Sequence, residues 1–127
     1  MDPLIIGASE EKPGINFDPQ NNKFMIFGKS FPEEAKKFFE PVFMWLEDYE
    51  KNPNAETNFE IRLDYYNSST STILLELLYI LNRIFKKGHK VKILWSYLEM
   101  DDDMLDAGKE YSEMVDIPFE FIPIEDM

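Results

Sequence analysis

The stretch YYNSSTSTILLELLYILNRIF, Tyr65 to Phe85, sets five consecutive hydroxyl residues, Ser68 to Thr72, between a strand-like end and a strongly apolar run. Hydroxyls in such a place can cap a helix or receive a phosphoryl group. One Ser or Thr oxygen satisfies one free N–H of a first turn, so a cap accounts for one of the five and leaves the others to be explained. A helix start also pairs free donors with a positive dipole end, and this favours an anion. A phosphoserine there adds about −1.5 to −2 charges and three acceptor oxygens, and is accommodated with little backbone movement. Residue type alone leaves both readings open: an unregulated Ser/Thr-rich cap, and a modification site.

Carboxylates form the second candidate cluster. Asp101, Asp102 and Asp103 follow a strand-like run and, with Glu99, could offer hard oxygen ligands to Mg²⁺, as in a small metal-binding enzyme or a receiver-like domain. Their spacing does not match an EF-hand loop. Acidic residues at a helix start are each favoured by roughly 0.3–1 kcal/mol and can cap free N–H groups, so capping is the stronger reading. His89 is the only histidine, in a polar turn after Lys86, Lys87 and Gly88, and there is no cysteine. Disulfides, thiolate metal sites and Cys nucleophiles are therefore excluded. No nucleophile elbow, P-loop, G-x-G-x-x-G or H-E-x-x-H is present, which argues for a chain that is not an enzyme and holds no cofactor.

The elements that must position these residues follow from periodicity. Ile15–Phe17 and Phe24–Gly28 around Pro19 and Asn21-Asn22 predict a hairpin. Ser30, Pro32 and Glu33 have the spacing of a capping box, and Phe38, Phe39, Val42, Phe43 and Leu46 recur as one helix face, with Pro41 expected to bend or split it. The aromatic spread FFEPVFMW falls at that same helical spacing and belongs to the core. Three alternating runs, FEIRLDYY, KVKILWSY and PFEFIPI, predict strands with one apolar and one wet face. Between them lie a helix of about 70–87, with Leu74, Leu77, Leu78, Leu81 and Phe85 on one side and Gly88 as its stop, and a third helix from the Asp triplet to about Val115. The predicted order is β-β-α-β-α-β-α-β. It forms a single α/β domain over 1–127, a mainly parallel mixed sheet with an N-terminal hairpin and helices packed on one face. Leu74, Leu77, Leu78, Leu81, Val91, Ile93 and Phe121 are predicted to be core.

Charge narrows the partners. Twenty-five Asp and Glu against thirteen Lys and Arg give a net charge of −12 over 127 residues, which repels nucleic-acid phosphates and anionic lipid. No apolar run approaches the ~20 residues of a membrane span, and the N-terminus lacks a secretory pattern, so a cytoplasmic protein is expected.

LDYYNSSTSTILLELL resembles the segment of the SiaC family of regulatory phosphoproteins in which a strand ending in Y-x-N-[TS]-S-S leads into the helix bearing the phosphorylated residue. PGINFDPQNNKFMIFGKSFPEEAKKFFEPVFMWLEDY, GHKVKILWSY and PFEFIPIE fall where the family has them, so the likeness covers nearly the whole chain. Such families resemble STAS, or anti-sigma-factor-antagonist, domains. The resemblance implies a bacterial signal-transduction protein that works by partner switching. It would be phosphorylated by a dedicated Ser/Thr protein kinase and restored by a PP2C-type phosphatase. The unphosphorylated form would bind and stimulate a diguanylate cyclase, with cyclic-di-GMP output and biofilm formation as the result. By position the phosphorylated residue is Ser68, where the family more often carries Thr, with Ser69 and Thr70 next. Because a switch places its modification where the partner sits, the expected contact surface joins Asn67, Ser68 and Ser69 to the acidic Asp102 and Asp106, which could steer a basic partner.

Overall fold

A computed structural model describes residues 1–127. Its first element is one that alternation does not signal. Leu4–Ile6 forms a short edge strand, β1, antiparallel to β2 (Gly14–Asp18), with Leu4 opposite Phe17 and Ile6 opposite Ile15. β2 and β3 (Lys23–Ser30) make the predicted hairpin. Its connection is one 3₁₀ turn, Pro19–Asn21, closed by Asn22 at φ 52°, whose N–H donates to the Pro19 carbonyl at 3.1 Å. Asn tolerates that left-handed backbone better than most side chains.

The first helix, α1 (Ala35–Lys51), begins later than the capping-box spacing predicts. Ser30 does not cap it: Ser30 is the buried last residue of β3, and Glu34 occupies the N-cap position without a side-chain hydrogen bond. The reason is tertiary. β3 continues its parallel pairing with β4 (Glu56–Tyr66) as far as Ser30 opposite Tyr66, and this ladder outweighs a local capping signal. Pro41 does not split α1, which runs unbroken to Lys51 with Phe39, Val42, Trp45, Leu46 and Tyr49 buried beneath it. That packing holds the helix together across the donor missing at proline.

After β4 come α2 (Ser68–Lys86), β5 (Lys90–Leu98), α3 (Asp102–Met114) and β6 (Phe119–Ile124). The six strands lie in chain order, antiparallel from β1 to β3 and parallel from β3 to β6. Burial alternates as the sequence predicts. Phe59, Ile61, Leu63, Val91, Ile93 and Trp95 face the core, while Glu60, Arg62 and Lys92 lie on the opposite face, partly exposed. All three helices pack on the covered face. Trp45 and Tyr49 of α1 lie 5.1 Å from the rings of Phe17 and Phe24, respectively. Leu74, Leu77, Leu78 and Leu81 of α2 are buried in the same cluster, where each fully buried leucine contributes roughly 1.5–3 kcal/mol. α3 rests on Trp95. Gly108 permits this approach, because a Cβ there would come 2.5 Å from the indole. Phe121, predicted to be core, is only half-buried, since β6 is an edge strand. No helix is long and apolar enough to cross a membrane.

Candidate functional site

The hydroxyl run lies where β4 ends and α2 begins. Asn67 is the cap: its backbone is extended, and its Oδ1 accepts from the Thr70 N–H at 3.0 Å. α2 therefore starts at Ser68, two residues before the predicted 70, and no Ser or Thr side chain is needed to cap it. Gly88, at φ 103°, follows its C-terminus as expected.

With the cap assigned to Asn67, the five hydroxyls separate by what they touch. Thr70 is fully buried. Its Oγ1 pairs with the Ser30 hydroxyl at 2.8 Å and donates to the Ser30 carbonyl at 3.1 Å. The Ser30 carbonyl also accepts from the Asn67 N–H at 3.1 Å, so the end of β3 is stitched to the first turn of α2. Ser71 is half-buried, and its carbonyl accepts from the Tyr111 hydroxyl at 2.8 Å. Thr72 is exposed and turns back toward the Ser68 carbonyl at 3.5 Å. Ser68 and Ser69 are exposed, and their hydroxyls donate to no group of the chain. Of the three candidate acceptors, two are accessible and the third, Thr70, is enclosed.

The electrostatic setting of this turn differs from that of α3. The first turn of α2 contains no acidic side chain, although the chain carries a net charge of −12. Its positive dipole end is thus left uncompensated. A groove of about 530 Å³ between the first turns of α1 and α2 is lined by Glu34, Lys36, Lys37, Ser69, Thr72 and Glu76 among others, with Lys37 paired to Glu34 at 3.7 Å, so charges of both signs stand beside the hydroxyls. Tyr65 is half exposed on the other side, its ring edge-on to Phe31 at 5.6 Å.

The acidic cluster has a structural task. Asp101 Oδ1 accepts from the Met104 N–H at 3.0 Å and caps α3, with Asp102 and Asp103 exposed in its first turn. No three or more His, Asp or Glu side chains converge as a metal-ligand set, so Glu99 and Asp101–Asp103 are not gathered around a common centre. Asp102 and Asp106 are four residues apart, on one exposed helical face. Tyr111, on the same helix, carries α3 to the hydroxyl turn through Ser71. The predicted contact residues therefore belong to elements that are directly bonded.

Tyr66 and Tyr111 join the two parts, and neither stands out by sequence period. Burial pushes both phenols above their ordinary pKa, with Tyr111 and then Glu110 and Asp101 adding to the effect at Tyr66. Only a forty-residue separation links Tyr111 to Ser71, and no local pattern encodes that.

The model of the SiaC family of regulatory phosphoproteins matches residues 6–124. The chain superposes on the crystal structure of apo-SiaC from Pseudomonas aeruginosa with a TM-score of 0.86 and 25% identity, covering 96% of this chain and 99% of that one. It also superposes on SiaC in the crystal structure of the diguanylate cyclase SiaD in complex with its activator SiaC, from the same organism, with a TM-score of 0.88 and 24% identity over 95% and 99% of the two chains. An uncharacterized protein of Pseudomonas aeruginosa (strain UCBPP-PA14) is 25% identical over 119 residues, 94% of each chain. With the family model spanning nearly every element from β1 to β6, this chain belongs to the SiaC family of regulatory phosphoproteins.

Proposed function

We propose that this chain is a non-enzymatic partner switch whose unphosphorylated form binds and stimulates a diguanylate cyclase, and that phosphorylation of Ser68 releases the cyclase. The observation that carries this reading is the division of labour in the hydroxyl run: Asn67 caps, Thr70 and Ser71 are committed inside the fold, and Ser68 and Ser69 stand free at the rim. The solved complex of SiaD with its activator SiaC supports a cyclase as the effector. Ser68 directly follows Asn67, which matches the family's acceptor position. A Ser/Thr protein kinase adds the phosphoryl group and a PP2C-type phosphatase removes it.

The release follows from charge. A phosphate on Ser68 is tolerated within the fold by the uncompensated start of α2, but at the rim of a docked partner it must be desolvated. It also adds negative charge beside the acidic face of Asp102 and Asp106. The cyclase contact comprises Asn67, Ser68, Ser69, Asp102 and Asp106, and the chain acts in the cytoplasm without a cofactor.

Mass spectrometry of the protein from its native cells tests the site. Phosphate is expected on Ser68, with Ser69 next and none on enclosed Thr70. Ser68→Ala should hold the cyclase constitutively and keep cyclic-di-GMP synthesis high, while Ser68→Asp binds weakly. If phosphate is absent from Ser68 through Thr72 while the kinase is active, the switch is not located here.

A further inference from the structure

The contact surface proposed above, Asn67, Ser68, Ser69, Asp102 and Asp106, is polar throughout, whereas a stable protein contact sets such a rim around an apolar centre. The strand that leads into the hydroxyl turn supplies one. From Phe59 to Leu63 the odd residues of β4 are buried and the even ones only partly so. Carried on, that alternation would put Tyr65 in the core and Tyr66 outside. The structure has the reverse: Tyr65 is 50% exposed, and Tyr66 packs against the core. A register shift is the cause. Gly28 pairs with Leu63 but Lys29 with Tyr65, so the ladder skips one residue of β4 and the parity changes after it. Ser30, opposite Tyr66, is fully buried, and Lys29, opposite Tyr65, is exposed. Irregularities of this kind re-aim a side chain and occur beside functional surfaces.

The re-aimed ring is also held in place. It stands edge-on to Phe31 at 5.6 Å, and the Phe31 N–H donates to the Glu11 carbonyl at 2.8 Å. Of the chain's aromatic residues only Tyr65 and Tyr79 are exposed. Tyr79 lies about three turns along α2, whereas Tyr65 directly precedes Tyr66 and the Asn67 cap. A tyrosine already fixed in position loses little conformational freedom on docking and buries a large apolar area, which suits it as an anchor. Resting on the cyclase reading above, we infer that Tyr65 is the apolar anchor of that contact. Its ring enters an apolar pocket on the cyclase, with Phe31 behind it and the hydroxyl turn at the rim of the pocket. A seated ring closes water away from Ser68, three residues on. A phosphate at Ser68 must then lose its hydration before the anchor can engage, and the two cannot be accommodated together without that cost.

The probe is the purified counterpart of SiaD from the same organism as this chain, titrated calorimetrically with the full-length protein. Tyr65→Ala should weaken binding about thirtyfold, the weight of one buried tyrosine anchor, and Tyr65→Phe should stay within about threefold of wild type, because the ring carries the contact. Tyr79→Ala should bind as wild type does. Nitration of the unsubstituted protein by tetranitromethane is read alongside by mass spectrometry, so that the result does not depend on how a variant folds. Saturating cyclase should shield Tyr65 and leave Tyr79 reactive. Tyr65→Ala binding like wild type while Ser68→Asp binds weakly would overturn the anchor and leave the switch standing. Equal nitration of Tyr65 with and without cyclase would overturn it too, as would a loss in Tyr65→Phe as large as that in Tyr65→Ala. A wild-type chain that binds no cyclase would overturn the cyclase reading itself, and the anchor with it.

Discussion

The hydroxyls of Ser30 and Thr70 meet at 2.8 Å across forty positions of sequence, with both residues fully buried. This contact fixes where the first turn of α2 sits relative to the end of β3, and so where Ser68 and Ser69 emerge. Thr70→Val leaves the Ser30 hydroxyl without its side-chain partner, at a cost of about 1–3 kcal/mol. Urea unfolding should show that loss, while Ser68→Ala and Ser69→Ala stay within about 0.5 kcal/mol of wild type. A Thr70→Val protein as stable as wild type would remove the tie from the account of the site.

Gly108 and Trp95 provide a second check. A methyl group at Gly108 would meet the indole at 2.5 Å, too close for either to stay in place. Gly108→Ala should therefore cost about 1–3 kcal/mol through overpacking and alter the near-ultraviolet signal of Trp95. The Trp95 Nε1–H donates to the Met104 carbonyl at 2.9 Å, so the same variant should loosen the start of α3. An unchanged thermal midpoint would contradict the packing of α3 described above.

Acid stability has a named contributor. Arg83 holds the Glu50 carboxyl below its ordinary value, first by hydrogen bonds at 2.8 and 2.9 Å and then by its charge, with Lys87 assisting. The folded protein thus binds fewer protons than the unfolded chain just below the ordinary glutamate value of 4.5. Stability from this pair is present above that value and is lost as pH falls through the depressed folded one. Thermal midpoints measured from pH 7 to pH 3 should fall less steeply in Glu50→Gln than in wild type. Parallel curves would show that the pair contributes nothing to acid unfolding.

The acidic face of α3 can be tested by rate. Reversing the charge at Asp102 and Asp106 should slow association with a basic cyclase surface several-fold at low ionic strength, where the Debye length is about 30 Å, and have little effect near 1 M salt. Stopped-flow mixing at the two salt concentrations measures this directly. A rate independent of both charge and salt would take these two residues out of the interface.

The faces of the sheet were legible because one face is wet: Glu60, Arg62 and Lys92 alternate with Phe59, Ile61, Val91 and Ile93, and the structure keeps that parity. The start of α3 was legible because three aspartates in a row leave few alternatives to a helix N-terminus. β1 was not, since three residues carry no measurable period and only pairing with β2 makes them a strand. Ser30 misled for a physical reason: its local capping signal competes with a parallel ladder formed by residues more than thirty positions away. The run Asn67–Thr72 contains several residues able to cap, and only the backbone decides that Asn67 does so. The enclosure of Thr70 depends on Ser30 and could not be read from its own neighbourhood.

Strand order in space equals strand order in the chain, from β1 at one edge to β6 at the other. A nascent polypeptide leaving the ribosome can therefore lay each strand against one already present, without holding a slot open for a later segment. Ser30, Asn67 and Thr70 all precede α3 in the chain, so the hydroxyl turn can close before Tyr111 is free to reach it. The acidic helix is then added to a finished turn. Translation itself thus orders assembly, with the hydroxyl turn available before α3 and the edge strand β6 added last.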